Sequence, residues 1–225
     1  MRIITRIPLL GPLLGQLSRL SSGKKEFSGS NKYWNDRYVA GGNSGAGSYD
    51  HLAEFKAEVI NDFVAKNGVQ TVIEYGCGDG NQLTIAEYPV YTGFDVSTNA
   101  VERCRELFRD DPTKSFKLVP DYQEERADLT MSLDVIYHLV EDDVFEDYIR
   151  RLFHSSDRYV IVYASNHDET LPNTPHVRHR KFTDWIAECT PEWRLIEHVP
   201  NRYPISEHPD SGSFADFYFF ARQGV

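Results

Sequence analysis

Five consecutive residues, Gly76-Cys77-Gly78-Asp79-Gly80, carry the densest chemical signal in this 225-residue chain, and an acid, Asp95, stands nineteen positions past the first of those glycines. Alternate glycines let a backbone turn sharply and approach a ligand closely. An acid that ends the next apolar run can accept hydrogen bonds from a ribose diol, as at the carboxyl edge of a doubly wound α/β sheet. Glu74 adds a second carboxylate two residues before the first glycine. Together these residue types and spacings describe a nucleoside-binding crevice.

The third glycine comes one position earlier than in the dinucleotide fingerprint G-x-G-x-x-G, whose helix amino terminus faces a pyrophosphate. The G-x-G-x-G run, with Glu74 before it and Asp95 after it, resembles motif I of the class I S-adenosylmethionine-dependent methyltransferases. S-adenosylmethionine agrees with the charges: it has no phosphates, and its sulfonium and ammonium tolerate nearby acids. The resemblance covers roughly residues 31–221 in architecture and residues 74–97 in specific motifs. It implies an α/β fold, a doubly wound, seven-stranded, mostly parallel sheet (Rossmann-like) with helices on both faces and a final antiparallel hairpin at the sheet edge. It also implies roles. Gly76, Gly78 and Gly80 bring backbone against the amino-acid part of the cofactor, with Glu74, Cys77 and Asp79 close by. Asp95, followed by Val96, holds the ribose. Asp121 reads the adenine amino group, with Tyr122 packed on the ring; a Pro-Asp turn serving only the fold is the other reading of that pair.

Methyl transfer from a sulfonium is an in-line substitution, so catalysis is mostly positioning, with a general base added when the nucleophile is a hydroxyl. The resemblance sets the carboxyl end of a strand at residues 128–135 opposite the glycine loop. Ser132, Asp134 and His138 there become candidates for work on the acceptor, Ser132 also as a cofactor contact and Asp134 as a catalytic residue. His138 is the first choice of base and His167 the second, since imidazole accepts a proton near neutral pH. A satisfied structural histidine is the alternative for each. His176, Arg178 and His179, beside Arg180 and Lys181, form a basic cluster in an acidic protein. That cluster suits an anionic acceptor such as a carboxylate, phosphate or acidic sugar, or else is a solvated loop. Neighbouring prolines argue against a helical metal site at His176 and His179, and no metal is expected.

The elements that must position these groups follow from periodicity. Thr71, Val72 and Ile73 open a buried strand, and residues 90–96 make a second. Further strands are expected at residues 115–119, 128–135, 159–164, 193–199 and 214–221. Leu52, Phe55, Val59, Ile60 and Phe63 share one stripe of a helix over residues 49–66, which Asn67-Gly68 ends. Ser97 or Thr98 caps the next helix, in which Val101, Cys104, Arg105 and Phe108 share a face, so Cys104 reads as packing. A helix opening with Glu141-Asp142-Asp143 and closing with Arg150-Arg151 matches the helix dipole at both ends. Phe182, Trp185, Ile186 and Cys189 form a last stripe, with Thr183 expected as cap.

Ahead of the glycine loop, Trp34, Arg37 and Tyr38 lie at i, i+3, i+4 on one face of a short helix. Residues 41–48 hold four glycines and two serines, and should be mobile. By resemblance this segment is a lid whose Trp34, Arg37 and Tyr38 contact the methionine end of the cofactor; a surface helix with a linker is the competing reading. Residues 1–25 are basic, with an apolar run at residues 7–14 broken by Pro8, Gly11 and Pro12. The run is too short to span a bilayer and no secretory signal is expected. It is either an amphipathic arm on an anionic membrane surface or a tail that folds back. The organisation expected is thus an arm at 1–25, a lid helix and loop at 26–50, and a cofactor-binding methyltransferase domain at 51–225.

With 34 acidic and 24 basic residues, the formal charge is −10, which argues against a protein gripping nucleic acid through many phosphates. The three cysteines are widely spaced without a CxxC pair, as expected of reduced thiols in the cytoplasm. Peripheral contact with the inner membrane face belongs to the first reading of residues 1–25. The function expected is methyl transfer from S-adenosylmethionine to a hydroxyl of a small molecule, sugar or glycan. No Asn-Pro-Pro-Tyr follows the fourth strand, which counts against amino groups of bases or glutamine. Two alternatives stand beside it: a non-catalytic nucleoside-binding sensor or scaffold, and an NAD-dependent oxidoreductase, against which the glycine spacing counts.

Overall fold

A computed structural model describes residues 27–169, 172 and 174–224; the arm expected at residues 1–25 lies outside them. Seven strands alternate with helices: α1 (Ser30–Val39), α2 (Asp50–Lys66), β1 (Thr71–Tyr75), β2 (Val90–Asp95), α3 (Thr98–Leu107), β3 (Lys114–Leu118), β4 (Ala127–Leu133), α4 (Asp142–His154), β5 (Ser156–Ala164), α5 (Phe182–Cys189), β6 (Trp193–Val199) and β7 (Asp216–Arg222). They form one sheet in the order β3-β2-β1-β4-β5-β7-β6. The first five strands pair in parallel, while β7 runs antiparallel to both β5 and β6. The order reverses between β1 and β4, and ligands of open α/β sheets bind outside the carboxyl ends of the strands at such a point.

Each central strand is buried on both faces, as parallel strands covered by helices must be. The two-residue period sorts alternate side chains into two cores. Val72, Leu129, Met131, Ile161 and Phe219 pack with Phe55, Ile60 and Phe63 of α2 on one side. Ile73, Val160, Val162 and Phe220 pack with Phe145, Ile149 and Phe153 of α4 on the other. Burying each of these larger side chains contributes ~1.5–3 kcal/mol relative to exposure. The helix ends follow local chemistry. Ser97 caps α3, its hydroxyl accepting from Ala100 N, and α4 carries Asp142 and Asp143 in its first turn and Arg151 in its last. Cys104 is fully buried, in the packing role expected of it.

Several expectations shift. β4 ends at Leu133, before the expected limit at 135, because Asp134 turns into the left-handed region at φ 60°. Thr183 does not cap α5: the helix already begins at Phe182, and Thr183 Oγ1 accepts from Asn166 Nδ2 at 2.9 Å. Residues 41–48, expected to be mobile, include a short 3-10 turn at Ala46–Ser48 and are fastened to the glycine loop by side-chain hydrogen bonds. No described helix is long and apolar enough to cross a membrane.

Candidate active site

The glycine loop follows β1 directly. Gly76, Gly78 and Gly80 all take positive φ (86°, 60° and 80°), where a side chain would be strained. A Cβ on Gly76 would stand 2.5 Å from a methyl carbon of Val135, and one on Gly80 would stand 3.0 Å from Cys104 Sγ. The first glycine therefore lets the loop pass under the segment after β4, and the third lets α3 pack against the loop. Gly76 N and Cys77 N both donate to Phe94 O, at 2.7 and 3.1 Å, which locks the turn to the end of β2.

Asp95 closes this turn. Gly78 N donates to Asp95 Oδ2 at 3.0 Å and Ser97 N to Asp95 Oδ1 at 2.9 Å. Burial pushes the carboxyl up to about 6, against the lowering effect of those backbone donors. Each carboxylate oxygen has a second lone pair, so the group can still accept from two vicinal hydroxyls. Glu74 is buried beneath the loop, where it accepts from Tyr91 Oη at 2.7 Å. Burial pushes it up to about 7, while Tyr91 and the ammonium of Lys56 pull the other way.

A cavity of about 260 Å³ opens at this point. Of the residues singled out from sequence, Glu74, Gly76, Cys77, Gly78, Asp79, Asp95 and Val96 line it from the sheet side. Trp34 and Tyr38 line it from α1, and Asp134 and His138 from the segment after β4. Residues not anticipated line it too, among them Lys56, Gln82, Asp147 and Arg151. Lys56 had a visible signal, a charge set into the apolar stripe of α2. Asp147 and Arg151 lie one turn apart on α4 and had the look of a solvated face.

The remaining expectations are corrected. Asp121 is exposed and does not line the cavity, and Tyr122 hydrogen-bonds Ser155 Oγ at 2.8 Å and packs near Tyr75 and Phe94. Val119, two residues earlier, reaches the cavity instead, because the 3-10 turn at Val119–Asp121 aims Asp121 outward. Ser132 stands behind the wall, 2.8 Å from Tyr148 Oη. Gly80 serves packing. Arg37 faces away and holds the lid, donating to Asn43 O at 2.6 Å. His167 lies outside the cavity against His179, at 4.4 Å between ring centroids. The basic cluster is not a free anion receptor. Arg178 donates to Val140 O at 2.9 Å and pairs with Asp142 at 3.0 Å; Arg180 binds Leu139 O, Val140 O and Asp142. His179 is buried with its Nδ1 on Ser165 Oγ, and His176 stacks on Tyr33 at 4.8 Å. These side chains tie residues 174–181 to the cavity rim.

The lid is pinned at both ends. At the start of α1, Ser30 N and Oγ donate to the two carboxylate oxygens of Glu141 at 3.0 and 2.6 Å. At its far end Tyr38 Oη meets Ser44 Oγ at 2.9 Å. Ser44 and Asp79 then bind reciprocally: Ser44 N donates to Asp79 Oδ2 and Asp79 N to Ser44 Oγ, each at 2.9 Å. Tyr49 Oη adds a third bond to Asp79 at 2.7 Å. Burial alone would raise the Asp79 carboxyl, but these donors hold it below the usual range.

His138 is the titratable ring on the cavity wall. Its Nδ1 lies 2.9 Å from His176 O, and a carbonyl only accepts, so Nδ1 carries the proton and Nε2 keeps its lone pair. Trp34 packs edge-on at 4.9 Å. Burial pushes the ring down to about 4, so it is neutral at physiological pH. Nearby, Asp134 accepts from Lys56 Nζ at 2.7 Å and from Tyr137 Oη at 2.8 Å, so its charge is held by fixed partners.

The comparisons agree with this geometry. A family model described as a methyltransferase domain matches residues 73–161. No curated protein matches the sequence. Among solved structures the chain resembles the N-methyltransferase NodS from Bradyrhizobium japonicum WM9 in complex with S-adenosyl-L-homocysteine, at 16% identity and a TM-score of 0.68, covering 87% of this chain and 99% of that one. It also resembles magnesium protoporphyrin IX methyltransferase from Synechocystis PCC 6803 with the same product bound, at 14% identity and a TM-score of 0.61, covering 86% and 98%. The methyltransferase domain of bacterial CtHen1 aligns at 20% identity and a TM-score of 0.59, covering 74% and 96%. The span matched by the family model runs from β1 to β5 and builds the floor of the cavity, so over those residues the chain is similar to a methyltransferase domain, on a fold it shares with methyltransferases of known structure.

Proposed function

We propose that the chain methylates a hydroxyl on a small molecule, sugar or glycan, with His138 as the general base. The cavity suits the donor: the positive-φ glycines leave room for close approach, Asp95 offers its remaining lone pairs to the ribose hydroxyls, and Glu74 and Asp79 supply negative charge. When bound, S-adenosylmethionine supplies an electrophilic methyl group on a sulfonium. The protein's own part is to align the acceptor, exclude water and remove a proton.

The observation that carries the hydroxyl reading is the tautomer of His138. Its proton is committed to His176 O, and its Nε2 lone pair is held on the cavity wall. A hydroxyl has to lose a proton as the methyl arrives, which is the step a positioned imidazole assists. An N-methyltransferase and a porphyrin methyltransferase stand together among the structural likenesses, so the fold does not select the acceptor by itself. Labelled donor incubated with a fractionated extract tests the reading: label should enter a small, hydroxyl-bearing molecule and resist treatments that cleave methyl esters. Label on protein, on nucleic acid or on an amine would sink it.

A further inference from the structure

One side of the cavity is built from side chains that the glycine motif does not include. Lys56 sits in the buried stripe of α2, between Leu52 and Ile60, and is only 1% exposed. Burying an ammonium is costly unless it is well partnered. Lys56 makes one hydrogen bond among the described residues, to Asp134 Oδ2 at 2.7 Å, and stands 5.3 Å from the centre of the Tyr163 ring. An ammonium has three N–H donors, so two are left without a hydrogen-bonding partner among the described residues.

Gln82 presents the complementary feature one helical turn away. Its Nε2 donates to Ala53 O at 3.0 Å, and Ala53 precedes Lys56 by three residues on α2. A carbonyl accepts only, which settles the orientation of the amide and leaves Oε1 as the free atom. Gln82 is 7% exposed, lines the cavity, and its Oε1 has no partner among the described residues. Buried polar atoms are nearly always paired, so such an acceptor asks for a donor. The cavity wall also carries five acids, Glu74, Asp79, Asp95, Asp134 and Asp147, and two cations, Lys56 and Arg151. Arg151 belongs to α4, with its guanidinium over Tyr122, so Lys56 is the cation at the α2 side.

We propose that Lys56 and Gln82 clamp the α-amino-acid end of the donor, the Lys56 ammonium taking its carboxylate and Gln82 Oε1 its ammonium. The proposal rests on the methyltransferase reading and adds a selectivity to it: the protein recognises nucleosides that keep the whole amino-acid chain. Helix α2 sets both halves, presenting Lys56 directly and Gln82 through the carbonyl of Ala53.

Calorimetry on the full chain tests this with two probes, S-adenosylhomocysteine and 5′-methylthioadenosine, which shares the nucleoside but lacks the amino acid. Lys56→Met should weaken S-adenosylhomocysteine on the order of 10- to 100-fold, and Gln82→Leu about 5- to 20-fold. Methylthioadenosine should bind both variants within about twofold of wild type, since neither residue would touch it. Lys56→Met also strips Asp134 of its cationic partner, leaving only Tyr137 Oη among the described residues; should that variant fail to fold by circular dichroism, Gln82→Leu decides alone. Unchanged affinity for S-adenosylhomocysteine would overturn the proposal, as would equal losses for both probes. Wild-type protein that binds methylthioadenosine as tightly as S-adenosylhomocysteine would overturn the clamp but leave the methyltransferase reading intact. Binding of neither probe would overturn both.

Discussion

His138 Nδ1 and the carbonyl oxygen of His176, 38 residues apart in sequence, lie 2.9 Å apart at the edge of the cavity. That bond assigns the ring's proton to one nitrogen and its lone pair to the other. His138→Ala should therefore lower kcat about 10²- to 10⁴-fold, the usual range for removing a positioned general base. Affinity for S-adenosylhomocysteine should stay within about threefold, because the donor's anchors lie elsewhere. Single-turnover kinetics beside calorimetry makes the check; unchanged turnover would clear His138 of the role.

The same residue predicts the shape of the pH–rate profile. Burial holds the imidazole near 4, below its ordinary 6.5. The acidic limb belonging to His138 should then fall near pH 4, leaving no inflection at 6.5 from this group. The sign for stability agrees: the unfolded chain binds the proton more readily, so this group's contribution is present above pH 6.5 and fades as the pH drops through 4. A limb at 6.5 that vanishes in His138→Gln would contradict the burial argument.

Glu74 behaves in the opposite sense. Its folded value is raised from 4.5 to about 7 by burial, so the native state holds the proton longer than the unfolded chain does. The stabilisation is full below pH 4.5 and is lost as the pH rises through 7. Glu74→Gln keeps an acceptor for Tyr91 while removing the charge, and should raise Tm at pH 8 by several degrees, at about 2–4 °C per kcal/mol for a chain of this size. Thermal melts at pH 5 and pH 8 should show the gain at the higher pH only.

Asp95→Ala should weaken the donor roughly 10- to 100-fold, since it removes a charged acceptor and leaves Gly78 N and Ser97 N without their partner. Gly78→Ala attacks the same turn through the backbone: the residue sits at φ 60°, and its Cβ would run into Ser44 Oγ. Titration of both variants with S-adenosylhomocysteine checks this pair, and wild-type affinity in Asp95→Ala would remove the ribose assignment.

Much of this site was legible in the chain because its signals are local. The glycine spacing, the β-branched run before it and the acid after β2 depend on neighbours within a few residues, and Gly76, Gly78 and Asp95 fall where those signals put them. What failed depended on facing directions and distant partners. Asp121 points out because a 3-10 turn intervenes after β3. Arg178 and Arg180 read as free cations until α4's Asp142 and the carbonyls of residues 139 and 140 are brought beside them. Lys56 became part of the wall only once Asp134 folded over it from the far end of β4. Periodicity marks which stripe is buried; it does not say what a charge in that stripe will meet.

Asp79 has an implication for how the molecule would respond to change. It belongs to the glycine loop we propose as the donor's cradle, yet its carboxylate and amide are both bound to residues ahead of β1, at Ser44 and Tyr49. The cradle and its cover are thus fastened to each other through Asp79, and neither can shift there without tugging the other. A methyl group gained or a hydroxyl lost at position 44, out of reach of the sheet, would be felt as slackness in the grip on the nucleoside.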